Sequence, residues 1–291
     1  MPPMANRVQV LRNTTLRIRK HISLTMGAVV VLAVVATALI GPRLTPYNPE
    51  RSNLDEKLLP PVWQSGTFQH PLGTDGMGRD MVSLLIAGAR TSLLISFSAV
   101  FLTLLIGCTV GLVAGFLKGL VGELLMRLVD LQMSFPYFLL AITVASVTKP
   151  NLLTLIAILS LADWVVYARL VRGMILQESE KDYVQAGIVV GASRARIATR
   201  YALPQVLPSI VVIATLEMAT MILLESTLDF LGLGVQTTSW GVILFDGRQY
   251  LATGWWITTI TGLVIFVTVL GFNLMGDGLR DILDPRLRLV R

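Results

Sequence analysis

Long stretches without charged side chains recur along the chain, separated by segments that carry most of its charge. The first, residues 22–41, contains no Asp, Glu, Lys or Arg. A helix rises about 1.5 Å per residue, so a stretch of this length crosses a hydrocarbon core of about 30 Å. Similar stretches, interrupted by at most a few acids, predict six transmembrane helices over residues 22–41, 91–117, 131–148, 151–168, 206–234 and 254–276.

The segments between these spans complete the predicted organisation. An all-α integral membrane protein with about six transmembrane helices is expected, and two of its connecting segments are long. Residues 42–90 are rich in proline and polar side chains, whereas residues 169–205 carry helical signals. The predicted parts are a basic tail (1–21), a first span (22–41), an outer segment (42–90), a core of five spans (91–276) that includes the loop 169–205, and a final tail (277–291).

The composition supports a membrane location and excludes several kinds of site. Hydrophobic residues make up 54% of the chain and charged residues only 14%, whereas soluble domains carry about 25% charged residues. The single cysteine, Cys108, lies in an apolar stretch, so no intrachain disulfide can form. No Cys or His cluster predicts a metal site, and we expect no catalytic residue in this chain.

The formal charge of +6 could indicate nucleic-acid binding, but its distribution favours another explanation. Lys and Arg residues concentrate on the cytoplasmic side of membrane proteins. If the N-terminus is cytoplasmic, most of the 24 basic residues lie inside, and the outside holds only Arg43, Arg51, Lys57, Arg79, Arg90, Lys149 and Arg248. This asymmetry predicts that both termini are cytoplasmic, and it accounts for the positive charge without nucleic acid.

The loop 169–205 contains a predicted helix with one distinctive face. Tyr183, Ala186, Gly187 and Val190 follow the spacing i, i+3, i+4 and i+7, so they share a face whose middle is small. A small face allows the backbone of a partner to approach closely. The pattern is equally consistent with docking in a groove of another protein and with an amphipathic helix on the membrane surface.

The residues after this helix predict a turn and a second helix. Gly191 suits the left-handed position that ends a helix, and Ser193 can cap the next one over residues 197–202. Pro204 is expected to mark the end of that second helix, because proline disrupts a helix interior. The loop is therefore predicted to form a helix–turn–helix.

The stretch 185–204 resembles the EAA loop of importer-type ABC permeases, in which Glu-Ala-Ala, a glycine and a final Leu-Pro recur at fixed spacing. The spacing is kept, but Gln185, Gly187 and Tyr201 depart from the family's Glu, Ala and Ile. The resemblance implies that this loop docks on an ATPase. The implied coupling residues are Tyr183, Gln185, Ala186, Gly187, Val190, Gly191, Leu203 and Pro204.

Further motifs resemble the dipeptide, oligopeptide and nickel permeases, specifically the second of their two membrane subunits. In chain order they lie at residues 70–75, 78–80, 88–93, 167–169, 225–228, 230–234, 276–281 and 284–286, and Asp229 departs from the family's pattern. The resemblance implies a bacterial inner-membrane protein that works with a homologous second permease, two cytoplasmic P-loop ATPases and an extracytoplasmic solute-binding protein. ATP and Mg²⁺ would be bound by the ATPases, since this chain contains no G-x-x-x-x-G-K-[ST] motif.

Four acids, Asp163, Glu217, Glu225 and Asp229, fall within predicted spans. Each would cost roughly 2.5–3.5 kcal/mol at the centre of a lipid-facing helix, so they are expected to face the bundle interior or a wet path. They could bond neighbouring helices, line a translocation path or relay protons. Glu217, Glu225 and Asp229 are the candidates for the path.

The sequence thus predicts a permease subunit of an ATP-driven importer for di- or oligopeptides or a related small solute, and not an enzyme. Such a subunit would convert closure of the ATPases into alternating access across the membrane. The alternative is a carrier driven by protons through Glu217 and Glu225, which would need no ATP.

Overall fold

A computed structural model describes residues 4–283, except residues 44, 46, 65, 118, 150, 194, 195 and 236. Pro150 between the third and fourth predicted spans, the loop residue Arg194 and the tail residues 284–291 lie outside this described part. Its regular structure consists of helices: α1 (Met4–Ile40), α2 (Met81–Phe116), α3 (Leu120–Met133), α4 (Tyr137–Val147), α5 (Leu152–Ser179), α6 (Asp182–Val189), α7 (Leu203–Phe230), α8 (Trp240–Gly247) and α9 (Trp255–Leu283).

Five segments are long and apolar enough to cross a membrane. They are Ile22–Ile40, Met81–Phe116, Leu152–Ser179, Ile197–Phe230 and Trp255–Leu283. The pair α3–α4 makes a sixth if its two bent parts count as one span. The prediction of an all-α membrane protein with about six spans is confirmed.

Two helices extend well beyond the uncharged stretches that predicted them. Helix α2 begins at Met81, ten residues before the uncharged stretch that predicted it. Asp80 caps this earlier start by accepting hydrogen bonds from the Ser83 backbone N–H (2.8 Å) and hydroxyl (2.9 Å). Helix α5 continues past Arg169 to Ser179. A charged residue can leave the membrane without ending its helix, so a search for uncharged stretches underestimates helix length.

The third predicted span is broken rather than continuous. Helices α3 and α4 meet at Ser134–Pro136 and are bent by 80° relative to each other. Pro136 has no N–H to donate and disfavours helical backbone at the residue before it, so α3 ends and α4 starts afresh. The predicted third span, 131–148, is therefore interrupted at Pro136.

A close helix pairing joins α2 to α5 through glycines spaced four residues apart. A Cβ at Gly107 would lie 2.5 Å from the Trp164 carbonyl oxygen, and one at Gly111 would lie 2.6 Å from the Ala168 carbonyl oxygen. Small residues at such spacing bring helix backbones together in membranes. This pairing holds the middle of α5 rigidly in the bundle.

The α8 end of the bundle is covered by the segment between α1 and α2. Arg79 donates to Asp75 at 2.6 Å and to Asp246 at 3.1 Å, which joins this segment to α8. The Trp256 indole donates to the Thr74 carbonyl oxygen at 3.0 Å and joins it to α9. Helix α6 lies at the opposite end of α7, so the two ends of the bundle carry different structures.

Candidate functional site

Helix α6 (Asp182–Val189) confirms the first helix predicted in the loop 169–205, and Lys181 is its N-cap residue. It ends in a Schellman motif: Ala192 N–H donates to the Gly187 carbonyl oxygen, and Gly191 N–H donates to the Ile188 carbonyl oxygen, both at 3.0 Å. Gly191 has φ +86°, the left-handed conformation that was expected there. The direction of the chain after α6 is therefore fixed by hydrogen bonds.

The second predicted helix begins as expected but does not end at Pro204. The Ser193 hydroxyl oxygen accepts from the Arg196 backbone N–H at 3.3 Å and caps the helix start. A π-helical turn, Ile197–Ala202, then leads directly into α7. Pro204 lies in the first turn of α7, where it has no N–H to donate to the preceding π-helical turn. The prediction that Pro204 ends the helix is wrong, and the turn is continuous with a transmembrane span.

The outer face of α6 is open and mostly apolar. Val184 is 1% exposed and anchors the helix, whereas Val189 and Val190 are each 87% exposed. A Cβ at Gly187 or at Gly191 would meet no described atom within 4 Å. Exposed apolar surface of this kind is typical of a surface that contacts another protein or a membrane.

The predicted coupling residues divide into two groups in the structure. Most of them are exposed or half-buried on α6 and its turn: Tyr183, Gln185, Ala186, Gly187, Val190 and Gly191. Leu203 is half-buried in an apolar cluster with Val171, Ile175 and Val206, and Pro204 is exposed on α7. Leu203 thus packs α7 against α5 within this chain, while the α6 residues face outward.

Two polar side chains tie α6 to the end of α5. The Gln185 amide donates to the Ser179 carbonyl oxygen at 2.7 Å, a bond that an ionised glutamate at this position could not donate. Glu178 is 6% exposed, pairs with Lys181 Nζ at 2.7 Å and accepts a hydrogen bond from the Tyr183 hydroxyl. Partial burial and this bond raise the pKa of Tyr183 to about 12, so its hydroxyl keeps its proton and donates.

Glu178 was not predicted from the sequence, although its distance of three residues from Lys181 was a usable signal. If this loop docks on an ATPase as the resemblance implies, Glu178→Ala should lower ATP-dependent transport about tenfold while ATP hydrolysis continues, because losing hydrogen bonds to a buried charged group loosens α6 by about 1.5–3 kcal/mol. Transport and hydrolysis should be measured on the same proteoliposomes. The neighbouring exposed acid provides the control, and Glu180→Ala should leave both rates unchanged.

Glu225 and Asp229, two of the three predicted path residues, are enclosed within this chain. Glu225 is 0% exposed and accepts from the hydroxyls of Ser92 and Ser226, each at 3.0 Å. Asp229 is 2% exposed and accepts from the Val235 backbone N–H at 3.1 Å and from the Ser239 hydroxyl. These bonds hold α2, α7 and the start of α8 together, which is the helix-bonding role considered for them; lining of a path by either residue stays a prediction.

Glu217, the third candidate, is half-buried in the middle of α7 and lies within hydrogen-bonding reach of the Asp163 carboxyl on α5. Beside this pair, Gln132 at the end of α3 receives a hydrogen bond from the Trp164 indole at 2.9 Å and donates to the Leu161 carbonyl oxygen at 2.5 Å. The sequence placed both acids in spans but gave no means to pair them.

A groove of about 460 Å³ lies between α5, α7 and α9 at the α6 end of the bundle. Its walls are mostly apolar and include Met174, Pro208 and Val212, and Arg280 stands at one side. Leu170 and Leu216 line its part nearest the middle of the helices. The groove therefore runs from the α6 end toward the level of Glu217.

Comparison with known protein families gives two matches on different parts of the chain. Residues 107–289 match the family described as binding-protein-dependent transport system inner membrane component. Residues 10–61 match the N-terminal transmembrane domain of oligopeptide transport permease C. The first match covers the helices α3–α9 and therefore includes α6 and all four intramembrane acids.

Similar proteins cover almost the whole chain. The di/tripeptide transport system permease protein DppC of Pseudomonas aeruginosa is 40% identical over 90% of this chain and 88% of its own length. The dipeptide transport system permease protein DppC of Escherichia coli is 40% identical, over 90% and 89% respectively. The protein of that name from Bacillus subtilis is 38% identical, over 94% and 84%.

Proposed function

The chain belongs to the family of binding-protein-dependent transport system inner membrane components, and from this membership we propose how its structure works. It is a multi-pass permease subunit of an ABC importer for peptides, a transport component and not an enzyme. It works with ATPase and permease partners, as this family does. The proposal concerns the identity of these partners, the orientation of the chain and the residues that transmit force.

In the proposed assembly, one copy of this chain pairs with a homologous second permease in the bacterial inner membrane. Two cytoplasmic P-loop ATPases, which hold ATP and Mg²⁺, bind at the α6 end, so both termini are cytoplasmic. A solute-binding protein delivers peptide at the α8 end. Basic residues near the α6 end, such as Arg169, Arg196 and Arg200, support this orientation by the positive-inside rule.

The observation that carries this proposal is that an exposed, mostly apolar helix is hydrogen-bonded to the end of α5 and is followed by a hydrogen-bonded turn. Helix α6 is fixed to α5 through Glu178 and Gln185, and to α7 through the capped turn at Gly191 and Ser193. A force applied to the face of α6 would reach α5 through the contacts of Glu178 and Gln185, and α7 through the turn that follows α6. This is the arrangement that a coupling helix needs in order to convert ATPase closure into movement of the spans.

The test is reconstitution of the complete transporter in proteoliposomes with dialanine as the solute. We expect uptake to require ATP on the side of the membrane where α6 lies. A protonophore should leave the uptake unchanged. An affinity-tagged chain purified in mild detergent should retain a P-loop ATPase and a second permease.

The proton-driven carrier considered above predicts the opposite behaviour. Its uptake would continue without ATP and collapse with the protonophore. Glu225, one of the two acids that this alternative needs, has both carboxyl oxygens bonded to serine hydroxyls inside the chain, so the structure favours the ATP-driven mechanism. Uptake by the purified chain alone would overturn the proposal.

A further inference from the structure

Asp163 differs from Glu225 and Asp229 because the described residues leave one of its carboxyl oxygens without a hydrogen bond. Asp163 is 6% exposed, and its Oδ2 receives no hydrogen bond from the described residues. Within the described ranges, neither acid forms an ion pair with a basic side chain. By contrast, serine hydroxyls bond both carboxyl oxygens of Glu225. Asp163 and Glu217 therefore form a carboxyl pair in which the buried Asp163 Oδ2 lacks a donor.

Two tyrosines border the same site from different helices. The side chain of Tyr167 is 0% exposed, its hydroxyl has no hydrogen-bond partner in the part of the chain described, and it lies close enough to interact electrostatically with both acids. Tyr137, the first residue of α4 after the break at Pro136, is also near both acids and is 43% exposed. The site thus combines two carboxyls with an unbonded buried hydroxyl, and it opens where Glu217 and Tyr137 reach the surface.

The chemistry of this site indicates a cationic ligand with several donors. Ionised carboxylates only accept hydrogen bonds, and a bond between two carboxyls requires a proton on one of them. An ammonium group carries three N–H donors and a positive charge, so it can replace that proton and bond both acids and the tyrosine oxygen. The weak dielectric screening inside a helix bundle strengthens such an ion pair.

The position of the site suits a solute in transit. Asp163 and Glu217 lie near the middle of α5 and α7, beside the broken helix pair α3–α4. Leu216, the neighbour of Glu217, lines the apolar groove that runs toward the α6 end, and so does Leu170, three residues after Tyr167. Transporters commonly bind solute at mid-membrane beside interrupted helices.

We propose that Asp163 and Glu217 bind the ammonium group of the solute as it crosses the membrane. This inference rests on the proposed function as a peptide importer, and it gives that function a residue-level contact for one end of the peptide. The apolar groove beyond Leu216 then receives the rest of the solute on its way to the α6 end. Either acid can hold the ammonium weakly, and both together hold it firmly.

The test compares four variants in the complete reconstituted transporter with its binding protein, and it measures dialanine taken up per ATP hydrolysed. Neutralising both acids, Asp163→Asn with Glu217→Gln, should lower this ratio at least about tenfold, because ion-paired hydrogen bonds to the ammonium are lost. Each single substitution leaves one carboxylate and should lower the ratio by only about threefold. The exposed acid on α3 supplies the control, and Glu123→Gln should leave the ratio unchanged.

Each other outcome has a defined meaning. An unchanged ratio in the double variant would overturn the inference, and so would complete loss of uptake in either single variant, which a proton relay predicts. If the double variant does not assemble, the swap of Asp163→Glu with Glu217→Asp decides: it keeps both charges and should transport normally. Absence of ATP-dependent uptake by the unmodified transporter would instead refute the proposed function, whatever the acids do.

Discussion

Replacing Gly191 with valine should abolish ATP-dependent peptide uptake while the protein still inserts into the membrane in normal amounts. Gly191 has φ +86°, a conformation that costs L-residues about 1–2 kcal/mol and is least accessible to β-branched side chains. Valine would therefore open the turn and release the bonds from Gly191 and Ala192 to the end of α6. The helix would remain, but its direction relative to α7 would no longer be fixed.

The measurement is ATP-dependent uptake in cells that express the variant as the only copy, with membrane quantity checked by immunoblot. Gly191→Asn is the matched control, since asparagine tolerates the left-handed region better than other non-glycine residues. Its uptake should exceed that of the valine variant by a wide margin. Normal uptake by Gly191→Val would show that the fixed turn is not needed for coupling.

A substitution at Gly187 distinguishes obstruction of a partner from strain in the turn at Gly191. A Cβ at Gly187 would touch nothing described within 4 Å, and Gly187 has ordinary helical backbone. A bulky residue there disturbs this chain little, whereas it would obstruct a partner lying on α6. Loss of uptake in both Gly187→Trp and Gly191→Val would therefore indicate that docking and direction are both required.

The features that the sequence predicted correctly are those set by neighbouring residues. Helix α6, its glycine terminator and the serine cap depend on residues within one or two turns, and all three are confirmed. The prediction for Pro204 was wrong because proline is found both just after a helix ends and in the first turn of a helix. The π-helical turn before Pro204 shows that it lies in the first turn of α7. The start of α2 and the end of α5 were missed because the length of an uncharged stretch reflects how much of a helix contacts lipid. The helix itself can continue beyond that stretch into water.

The features that the sequence could not provide are those set by distant residues. Glu225 accepts a hydrogen bond from Ser92 on another helix, and Glu217 interacts with Asp163; both partners are distant along the chain. A list of intramembrane acids therefore contained both a packing pair and a candidate binding site without distinguishing them. The hydrogen-bond partners of each carboxyl distinguish the two roles. An acid whose oxygens accept hydrogen bonds from this chain holds helices together, whereas an acid with an unbonded oxygen is available to a ligand.

The α2–α5 contact gives the second large expected effect, and it concerns the stability of the bundle. We expect Gly107→Leu to prevent stable assembly of the transporter, because its Cβ would lie 2.5 Å from the Trp164 carbonyl oxygen and 2.5 Å from the Tyr167 Cβ. Backbone cannot move aside as a side chain can, so α2 must separate from α5. Overpacking typically costs about 1–3 kcal/mol and more where backbone is involved.

The measurement is the thermal stability of the purified complex in detergent, followed by loss of the monodisperse chromatographic peak on heating. Gly262→Leu on α9 is the matched control, since a Cβ there meets no described atom within 4 Å; its stability should equal that of the unmodified complex. Equal stability of both leucine variants would contradict the close α2–α5 contact. Trp164 and Tyr167 lie within four residues of Asp163 on α5. Separation of these helices would therefore also displace the proposed ammonium site, and residual complexes should lose uptake before they lose ATP hydrolysis.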